Sequence, residues 1–392
     1  MEKRSGRWGW VVIPILLLLC IAGVRYLIPS WLEKNGYYTD EAFPSADGKS
    51  FYIQRILEAN KLSSTPPPKD YFIQFINFTS SSSQGSYITT IRFSSQNKEF
   101  YHDVKDNALL YIVSDSTTTG TGGSPRATFH KVESGKPEIT KPIPAGEYIL
   151  ENPVNIIRIE NHRDAYLYDP LTAQATKLCS FPFDYSEDDC SITTGNTPGT
   201  FILKKGIREK EPQFFLYTAQ AGKLVDLRKA AGNLPVSQFV QFETFDDRII
   251  NLCAFSQTPV FYDSSTGKAV QDKIDSAVYQ ISPDGSAAVC GKLDKYLTLY
   301  KFAEGKSSEL YTEIRPEYML RKYFWFPAEG KIIVGFDIRP LQGSFISNEI
   351  SVIDPASKAI KVISPPCPAV SWKKKPFFNL LLRFLPAQGK TP

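Results

Sequence analysis

The sequence lacks the residue patterns of most metal, nucleotide and catalytic sites. Only three histidines and six cysteines occur among its 392 residues, and no two cysteines have the CxxC spacing of a structural zinc site. The two GKS tripeptides, at Gly48 and Gly305, have Phe43 and Tyr300 where the phosphate-binding GxxxxGK[ST] loop requires its first glycine. HExxH and GxSxG are also absent. The sequence therefore predicts no metal, no cofactor and no catalytic residue.

The chain also lacks a strong charge of one sign. Its 45 Lys and Arg residues nearly balance 41 Asp and Glu residues, which leaves a net charge of +4. Because the basic residues are dispersed except at the two ends, nucleic acid is not an expected partner. Hydrophobic residues make up 42% of the chain, which is enough for a large core and excludes a disordered or fibrous protein.

Long apolar runs are absent except near the N-terminus. There, three basic residues precede an apolar run over residues 8–28 that only Arg25 interrupts. A spanning helix needs about 20 such residues, so we predict a transmembrane signal anchor at 9–28 with Arg25 reaching towards the interface. The predicted membrane-anchor residues are Trp8, Trp10, Arg25, Tyr26 and Trp31. Positive charge before the run keeps residues 1–8 in the cytoplasm and sends the remainder across the inner membrane into the periplasm.

Two other interpretations of the N-terminus remain open. A cleaved signal peptide would use residues 11–21 as its hydrophobic region and Cys20-Ile21-Ala22 as a poor cleavage site. A lipoprotein would need a small residue before Cys20, where Leu19 stands. All three interpretations export the main domain, so an extracytoplasmic location is predicted by each of them.

Residues 29–69 are predicted as a connector. Within SFYIQRILEANKL, the apolar residues Phe51, Ile53, Ile56 and Leu57 have partly helical spacing, which predicts a short helix. The following SSTPPPKD predicts an extended, proline-rich spacer. From Asp70 onwards the sequence changes to short strands separated by turn residues.

Two cysteines are candidates for a disulfide. Cys179 and Cys190 bracket the short polar segment SFPFDYSEDD. In an oxidising compartment a disulfide between them would close this loop.

Six segments share one pattern, in which an apolar pair and a polar residue precede a small-residue turn and a second strand. They are FHKVESGKPEI, LYDPLTAQATKL, LYTAQAGKLVDL, FYDSSTGKAVQD, LYKFAEGKSSEL and VIDPASKAIKVI. Their turn positions are Gly135, Ala173, Gly222, Gly267, Gly305 and Ser357, with a mean spacing of about 44 residues. Further strand pairs, such as VYQISPDGSAAVCGKL, lie upstream of several of these hairpins, so each repeat contains four antiparallel strands.

The repeat predicts an all-β fold. Residues 70–365 hold about seven repeats of this length, which predicts a β-propeller of about seven blades. One small sheet cannot bury both of its faces alone, so the blades stack in a ring. An array of β-sandwiches is the rival fold, and the repeat period argues against it.

Two stretches resemble known propeller families. SPDGSAAVCGKLDKYLTLYKF and ISVIDPASKAIKVIS resemble the TolB-like, YVTN-type and WD40-like propellers of bacterial envelopes, which share a strand, a Pro-Asp-Gly turn, a strand and a hairpin. Residues 282–285 match that turn, and the resemblance covers most of residues 70–365. It implies architecture and an envelope location, because these motifs close turns and perform no chemistry.

A weaker resemblance connects DSSTGK, residues 263–268, with the DxxTGKxxW repeat of pyrroloquinoline-quinone dehydrogenases. In that family the tryptophan stacks between blades, whereas Gln271 occupies its position here. The resemblance therefore implies a turn and does not imply a quinone cofactor.

The C-terminal segment 366–392 is predicted as a basic amphipathic tail. Placed on a helix, SWKKKPFFNLLLRFLPAQGKTP has a narrow polar stripe and a broad apolar face, too short to span a bilayer but suited to its interface. Its lysines would meet anionic headgroups at roughly 1 kcal/mol per charge. Packing against the propeller or a partner's membrane helix is the alternative. The predicted contact residues are Lys373, Lys374, Lys375, Phe377, Phe378, Leu381, Arg383 and Phe384.

These features predict a membrane-anchored extracytoplasmic propeller that acts as an interaction or scaffold subunit of an envelope membrane complex. Its expected partners are membrane lipid and the other subunits, with binding through loops such as SDSTTTGTGGSPR, residues 114–126. The alternative is an extracytoplasmic hydrolase, lyase or quinone-type dehydrogenase with its site in the central channel. Clustered charged side chains in that channel would favour the enzyme.

Overall fold

Seven four-stranded antiparallel sheets form the protein in a computed structural model. It describes residues 38–57, 70–94, 98–115, 127–181, 184, 190–254, 256–274, 276–292, 296–311, 318–338 and 347–364. Each sheet consists of four consecutive strands and is one blade of a β-propeller. The predicted all-β, seven-bladed fold is thereby confirmed.

The strands follow one another in chain order within every blade. Blade 1 contains β1 (Tyr38–Pro44), β2 (Phe51–Leu57), β3 (Asp70–Phe78) and β4 (Ser86–Ser94). Blade 2 contains β5 (Lys98–Lys105), β6 (Ala108–Asp115), β7 (Ala127–Glu133) and β8 (Ile139–Ile143). Blade 3 contains β9 (Glu147–Ile149), β10 (Ile157–Glu160), β11 (Asp164–Asp169) and β12 (Gln174–Ser180). Blade 4 contains β13 (Cys190–Thr194), β14 (Thr200–Lys205), β15 (Gln213–Thr218) and β16 (Lys223–Asp226), followed by the short helix α1 (Leu227–Ala231).

The remaining blades repeat this arrangement. Blade 5 contains β17 (Gln241–Phe242), β18 (Ile249–Asn251), β19 (Val260–Asp263) and β20 (Lys268–Gln271). Blade 6 contains β21 (Tyr279–Ile281), β22 (Ala287–Lys292), β23 (Tyr296–Lys301) and β24 (Lys306–Tyr311). Blade 7 contains β25 (Tyr318–Phe326), β26 (Lys331–Ile338), β27 (Ser347–Ile353) and β28 (Ile360–Ser364).

The predicted start of the propeller is wrong. The ring begins at Tyr38 and not at Asp70, and residues 51–57, predicted as a short helix of the connector, form β2. Phe51 and Ile53 of β2 pack towards blade 7, whereas Tyr52 packs towards blade 2. A strand that is buried on both faces has apolar residues at consecutive positions, which periodicity cannot distinguish from a helix.

The six turns that define the sequence repeat occupy equivalent positions in their blades. All six join the third strand of a blade to the fourth, in blades 2 to 7. In FYDSSTGKAV, the Asp263 carboxylate accepts a hydrogen bond from the Ser265 N–H at 2.9 Å, and Gly267 has a φ of 71°. This segment is therefore the outer hairpin of blade 5, as predicted.

The two faces of the ring carry different connections. On one, here called the hairpin face, turns of two to seven residues join first to second strands and third to fourth strands. At the opposite loop face each second strand ends and each third strand begins, as β2, β3, β6 and β7 do, and the long connection 227–240 joins blade 4 to blade 5 there. Because β1 starts at the loop face and β28 ends there, both chain ends leave the ring from this face.

Within the described ranges, no strand of blade 1 pairs with a strand of blade 7. The two blades meet at a seam, where side chains pack together and the Ser81 N–H donates a hydrogen bond to the Glu329 carboxylate at 3.0 Å. Ala42 and Phe51 of blade 1 pack there against Phe324, Phe326 and Ile350 of blade 7. Burying each large side chain contributes about 2 kcal/mol to stability. The seam is therefore held by apolar packing, as are the interfaces between blades 6 and 7 and between blades 1 and 2.

The predicted membrane segments lie outside the described residues. These are the transmembrane helix at 9–28 and the amphipathic tail at 366–392. Within the described ranges, no helix has the length and apolarity that crossing a membrane requires.

Candidate functional site

Charged side chains from the innermost strands of blades 1 and 7 meet on the channel side of the seam. Glu41 of β1 lies 3.6 Å from the Arg321 guanidinium and 3.5 Å from the Lys322 ammonium of β25. The pairing register of β25 with β26 shifts between Leu320 and Lys322. Such a β-bulge changes the direction of side chains, and here two consecutive basic residues both approach one carboxylate.

An aromatic ring supports one of these cations. Lys322 Nζ lies 3.7 Å from the centre of the Phe43 ring, within the range of a cation–π interaction. Burial lowers the pKa of Lys322, and the neighbouring Glu41 carboxylate opposes this shift. The half-buried ammonium therefore has two compensating partners, one carboxylate and one ring.

His102 of β5 lies next to this group, between blades 1 and 2. Its Nδ1 is 3.0 Å from the Tyr52 hydroxyl, which also donates to the His102 carbonyl oxygen at 3.3 Å. The imidazole packs against Phe43, Phe75 and Phe100, with ring centres 5.1 to 5.3 Å apart. Burial and, secondarily, Lys322 lower the pKa of His102 to about 4. The imidazole is therefore neutral at physiological pH.

Asp103 connects blade 2 to the first turn of blade 1. One of its carboxylate oxygens, Oδ1, accepts hydrogen bonds from the Ala46 N–H at 3.0 Å and the Val104 N–H at 2.6 Å. Burial raises the pKa of Asp103 to about 7 despite these bonds. Neutral pH is therefore close to the midpoint of its titration.

A small pocket opens beside the cationic pair. Its lining residues are Asp40, Glu41, Ala42, Arg321, Lys322, Phe324, Gly335, Asn348 and Ile350. Asn348 donates from Nδ2 to the Asp337 carboxylate, which also lies 3.5 Å from Arg321. The buried Asn348 Oδ1 has no hydrogen-bond partner among the residues that the structure describes. Most charged side chains of the pocket are thus paired with one another. A paired carboxylate is a poor proton acceptor, so the pocket is better suited to binding a ligand than to proton transfer.

Turns of two distant blades meet across the channel at the hairpin face. A Cβ atom added to Gly48 of blade 1 would lie 2.8 Å from the Phe245 ring of blade 5. Since blades 1 and 5 are not neighbours in the ring, this contact spans the channel opening. The Phe245 carbonyl accepts from Asn196 Nδ2 at 3.2 Å, and Asp247 accepts from the Asn196 and Thr197 N–H groups. These bonds connect the turns of blades 4 and 5 and hold the Phe245 backbone in place beside Gly48.

The two cysteines proposed as a disulfide flank the connection between blades 3 and 4. Cys179 lies in β12 and Cys190 begins β13, and both are buried. Burial raises the pKa of Cys179 to about 11, and its sulfur shares a hydrogen bond with Tyr217. The disulfide stays a prediction.

The other residues singled out from the sequence lie at the chain ends, outside the described part. They are Trp8, Trp10, Arg25, Tyr26, Trp31, Lys373, Lys374, Lys375, Phe377, Phe378, Leu381, Arg383 and Phe384. The described ranges contain no cluster of three His, Cys, Asp or Glu side chains that could hold a metal ion. Sequence reasoning missed Glu41, Phe43 and Lys322, because no motif connects them.

No protein-family model matches the chain, and no curated protein matches its sequence. Solved structures similar to it include hydrazine synthase of Kuenenia stuttgartiensis, with 13% identity and a TM-score of 0.32. That match covers 54% of this chain and 62% of the hydrazine synthase chain, so the chain spans less than two thirds of it. A crystal structure of the eukaryotic initiation factor matches with 11% identity and a TM-score of 0.36, over 83% of this chain and 88% of the other.

Proposed function

We propose that the protein is a membrane-anchored extracytoplasmic propeller that serves as an interaction or scaffold subunit of an envelope membrane complex. The observation that carries this proposal is the place where the two chain ends leave the ring. Ser364 at the end of β28 donates a hydrogen bond to Asp40 in β1 and lies 3.3 Å from Arg55 Nη2. Both ends therefore leave the loop face side by side.

The sequence assigns a membrane segment to each of these ends. The predicted transmembrane helix precedes β1, and the predicted amphipathic tail follows β28. Since both leave from one face at one seam, a single bilayer can hold both without distorting the ring. The loop face then points to the membrane, where other membrane subunits can reach its long connections, including residues 116–126.

The enzyme alternative is favoured by one observation, the charged group at the channel side of the seam. Glu41, Arg321 and Lys322 converge there, and His102 is nearby. Their mutual pairing and the hydrogen bond between His102 and Tyr52 favour a binding or structural role instead. A Glu41→Gln variant separates the two functions, since an enzyme would lose turnover and a scaffold would keep its partners.

The decisive experiment is affinity purification of the full chain from detergent-solubilised membranes, followed by mass spectrometry. We expect stoichiometric membrane-protein companions with the wild type and their loss when residues 116–126 are replaced by a short glycine-serine linker. The matched control is Leu171→Ser, which alters an exposed side chain on the hairpin face. Recovery of the intact chain alone would contradict the scaffold function.

Topology is tested by protease accessibility. Digestion of the propeller from the periplasmic side only, with protection in inverted vesicles, is the expected outcome. Digestion from the cytoplasmic side would exclude the proposed location.

A further inference from the structure

We infer that the loop face of blades 4 to 6 is a second membrane contact, which inserts apolar side chains into the interface of the lipid bilayer. This inference rests on the proposed membrane anchoring and adds the orientation of the ring. The two anchors act at the seam, and the second contact lies on the other side of the ring.

The loop face exposes large apolar side chains at three places. Phe239 is 63% exposed, Val278 47% and Ile207 39%. Phe239 lies in the connection from blade 4 to blade 5, Val278 in the connection from blade 5 to blade 6, and Ile207 in the loop between β14 and β15. Of the large apolar side chains that are exposed in the described part, these three are the ones on the loop face.

Their position in the ring complements the anchors. Blades 1 and 7 form the seam, and in a ring of seven the blade directly opposite that seam is blade 4. Attachment at the seam alone would let the ring tilt away from the bilayer. Apolar contacts at blades 4 to 6 would hold the loop face parallel to the membrane, because the two attachments then lie on opposite sides of the channel axis.

The charges around the loop-face connections of blade 4 fit an anionic membrane surface, whereas the connection 272–278 contains two acidic residues and one basic residue. The segments 204–212 and 226–231, which carry the loop-face connections of blade 4, contain six basic and three acidic residues. Lys204 Nζ lies 3.5 Å from the Gln238 carbonyl oxygen, which places this cation beside Phe239. Exposed aromatic and aliphatic side chains next to Lys and Arg are typical of interfacial membrane contacts.

The test uses site-specific photocrosslinking of the full chain in vesicles of phosphatidylethanolamine and phosphatidylglycerol and in native membranes. One variant carries the substitution Phe239→p-benzoylphenylalanine. The matched control is Leu171→p-benzoylphenylalanine, at a side chain 37% exposed on the hairpin face. Both positions are exposed, so both variants are expected to fold. Peptide mass spectrometry counts lipid adducts, and a carbonate wash measures anchoring separately.

We expect roughly tenfold more lipid adduct at position 239 than at position 171, since interfacial side chains lie within the headgroup and acyl boundary. A protein adduct at 239 in native membranes would overturn the inference in favour of a protein-binding surface. Equal or absent lipid labelling of a chain that resists carbonate would overturn it while leaving the proposed anchoring intact. Release of the chain by carbonate would overturn both the second membrane contact and the proposed membrane anchoring.

Discussion

His102 and Asp103 are adjacent residues whose titrations oppose each other. Burial lowers the pKa of His102 from 6.5 to about 4 and raises the pKa of Asp103 from 3.8 to about 7. Between about pH 4 and 6.5, the folded protein therefore holds one proton more on Asp103 and one fewer on His102 than the unfolded chain. The two contributions to the pH dependence of stability cancel across this window.

Each residue alone would change stability strongly. For Asp103, whose folded pKa is raised, stability is lost as the pH rises from 3.8 through about 7, by about 1.4 kcal/mol per pH unit and about 4 kcal/mol in total. For His102, whose folded pKa is lowered, stability is lost as the pH falls from 6.5 through about 4, by about 3 kcal/mol in total.

Two substitutions separate the contributions. Asp103→Asn keeps the acceptor, because the Ala46 and Val104 N–H groups both donate to the same oxygen, Oδ1. His102→Phe keeps the ring among its aromatic neighbours. We expect the free energy of unfolding of Asp103→Asn to rise with pH by about 1.4 kcal/mol per unit relative to wild type, and that of His102→Phe to fall by the same amount.

The assay is urea unfolding of the full chain in detergent at about pH 4.5, 5.5 and 6.5, with tryptophan fluorescence as the measure of the folded fraction. Differences from the wild type remove the contributions of all other groups. Asp169→Asn, which alters an exposed turn carboxylate, is the matched control. Parallel pH profiles for wild type and both variants would refute the titration argument.

Two further substitutions test the closure of the ring. Gly48→Ala should destabilise the protein by about 1 to 2 kcal/mol, because Gly48 has a φ of 65° and its new Cβ would approach the Phe245 ring. Adding Phe245→Ala to the same chain should restore part of this loss. If Gly48→Ala left the midpoint of urea unfolding unchanged, the contact between Gly48 and Phe245 would be contradicted. Asp40→Asn should cost about 3 to 5 kcal/mol, because it removes the two-pronged carboxylate partner, at 2.8 and 2.9 Å, of the largely buried Arg55 guanidinium in blade 1, and alters the acceptor of the hydrogen bond that Ser364 of blade 7 donates across the seam. Thermal unfolding measures this effect, and an unaltered midpoint would show that Asp40 does not hold the seam.

The repeat was predictable because turn chemistry is local. Asp263 and Gly267 have their conformational preferences within five residues of chain, and equivalent turns recur in blades 2 to 7. The start of blade 1 was not predicted, because the prediction depended on these local turn patterns. Its third and fourth strands are joined by a serine-rich turn at 79–85 that lacks the pattern, and β2 is buried on both faces.

The sequence by itself determined the all-β repeat, the approximate number of blades and the absence of recognisable metal and nucleotide motifs, since these depend on residues close together in the chain. The tertiary structure decided where the chain ends emerge, which face carries the long connections and which side chains meet in the channel. Lys322 and Glu41 are 281 positions apart, and only closure of the ring brings them together. Local sequence patterns contain no information on such a contact, because it depends on how all seven blades stack.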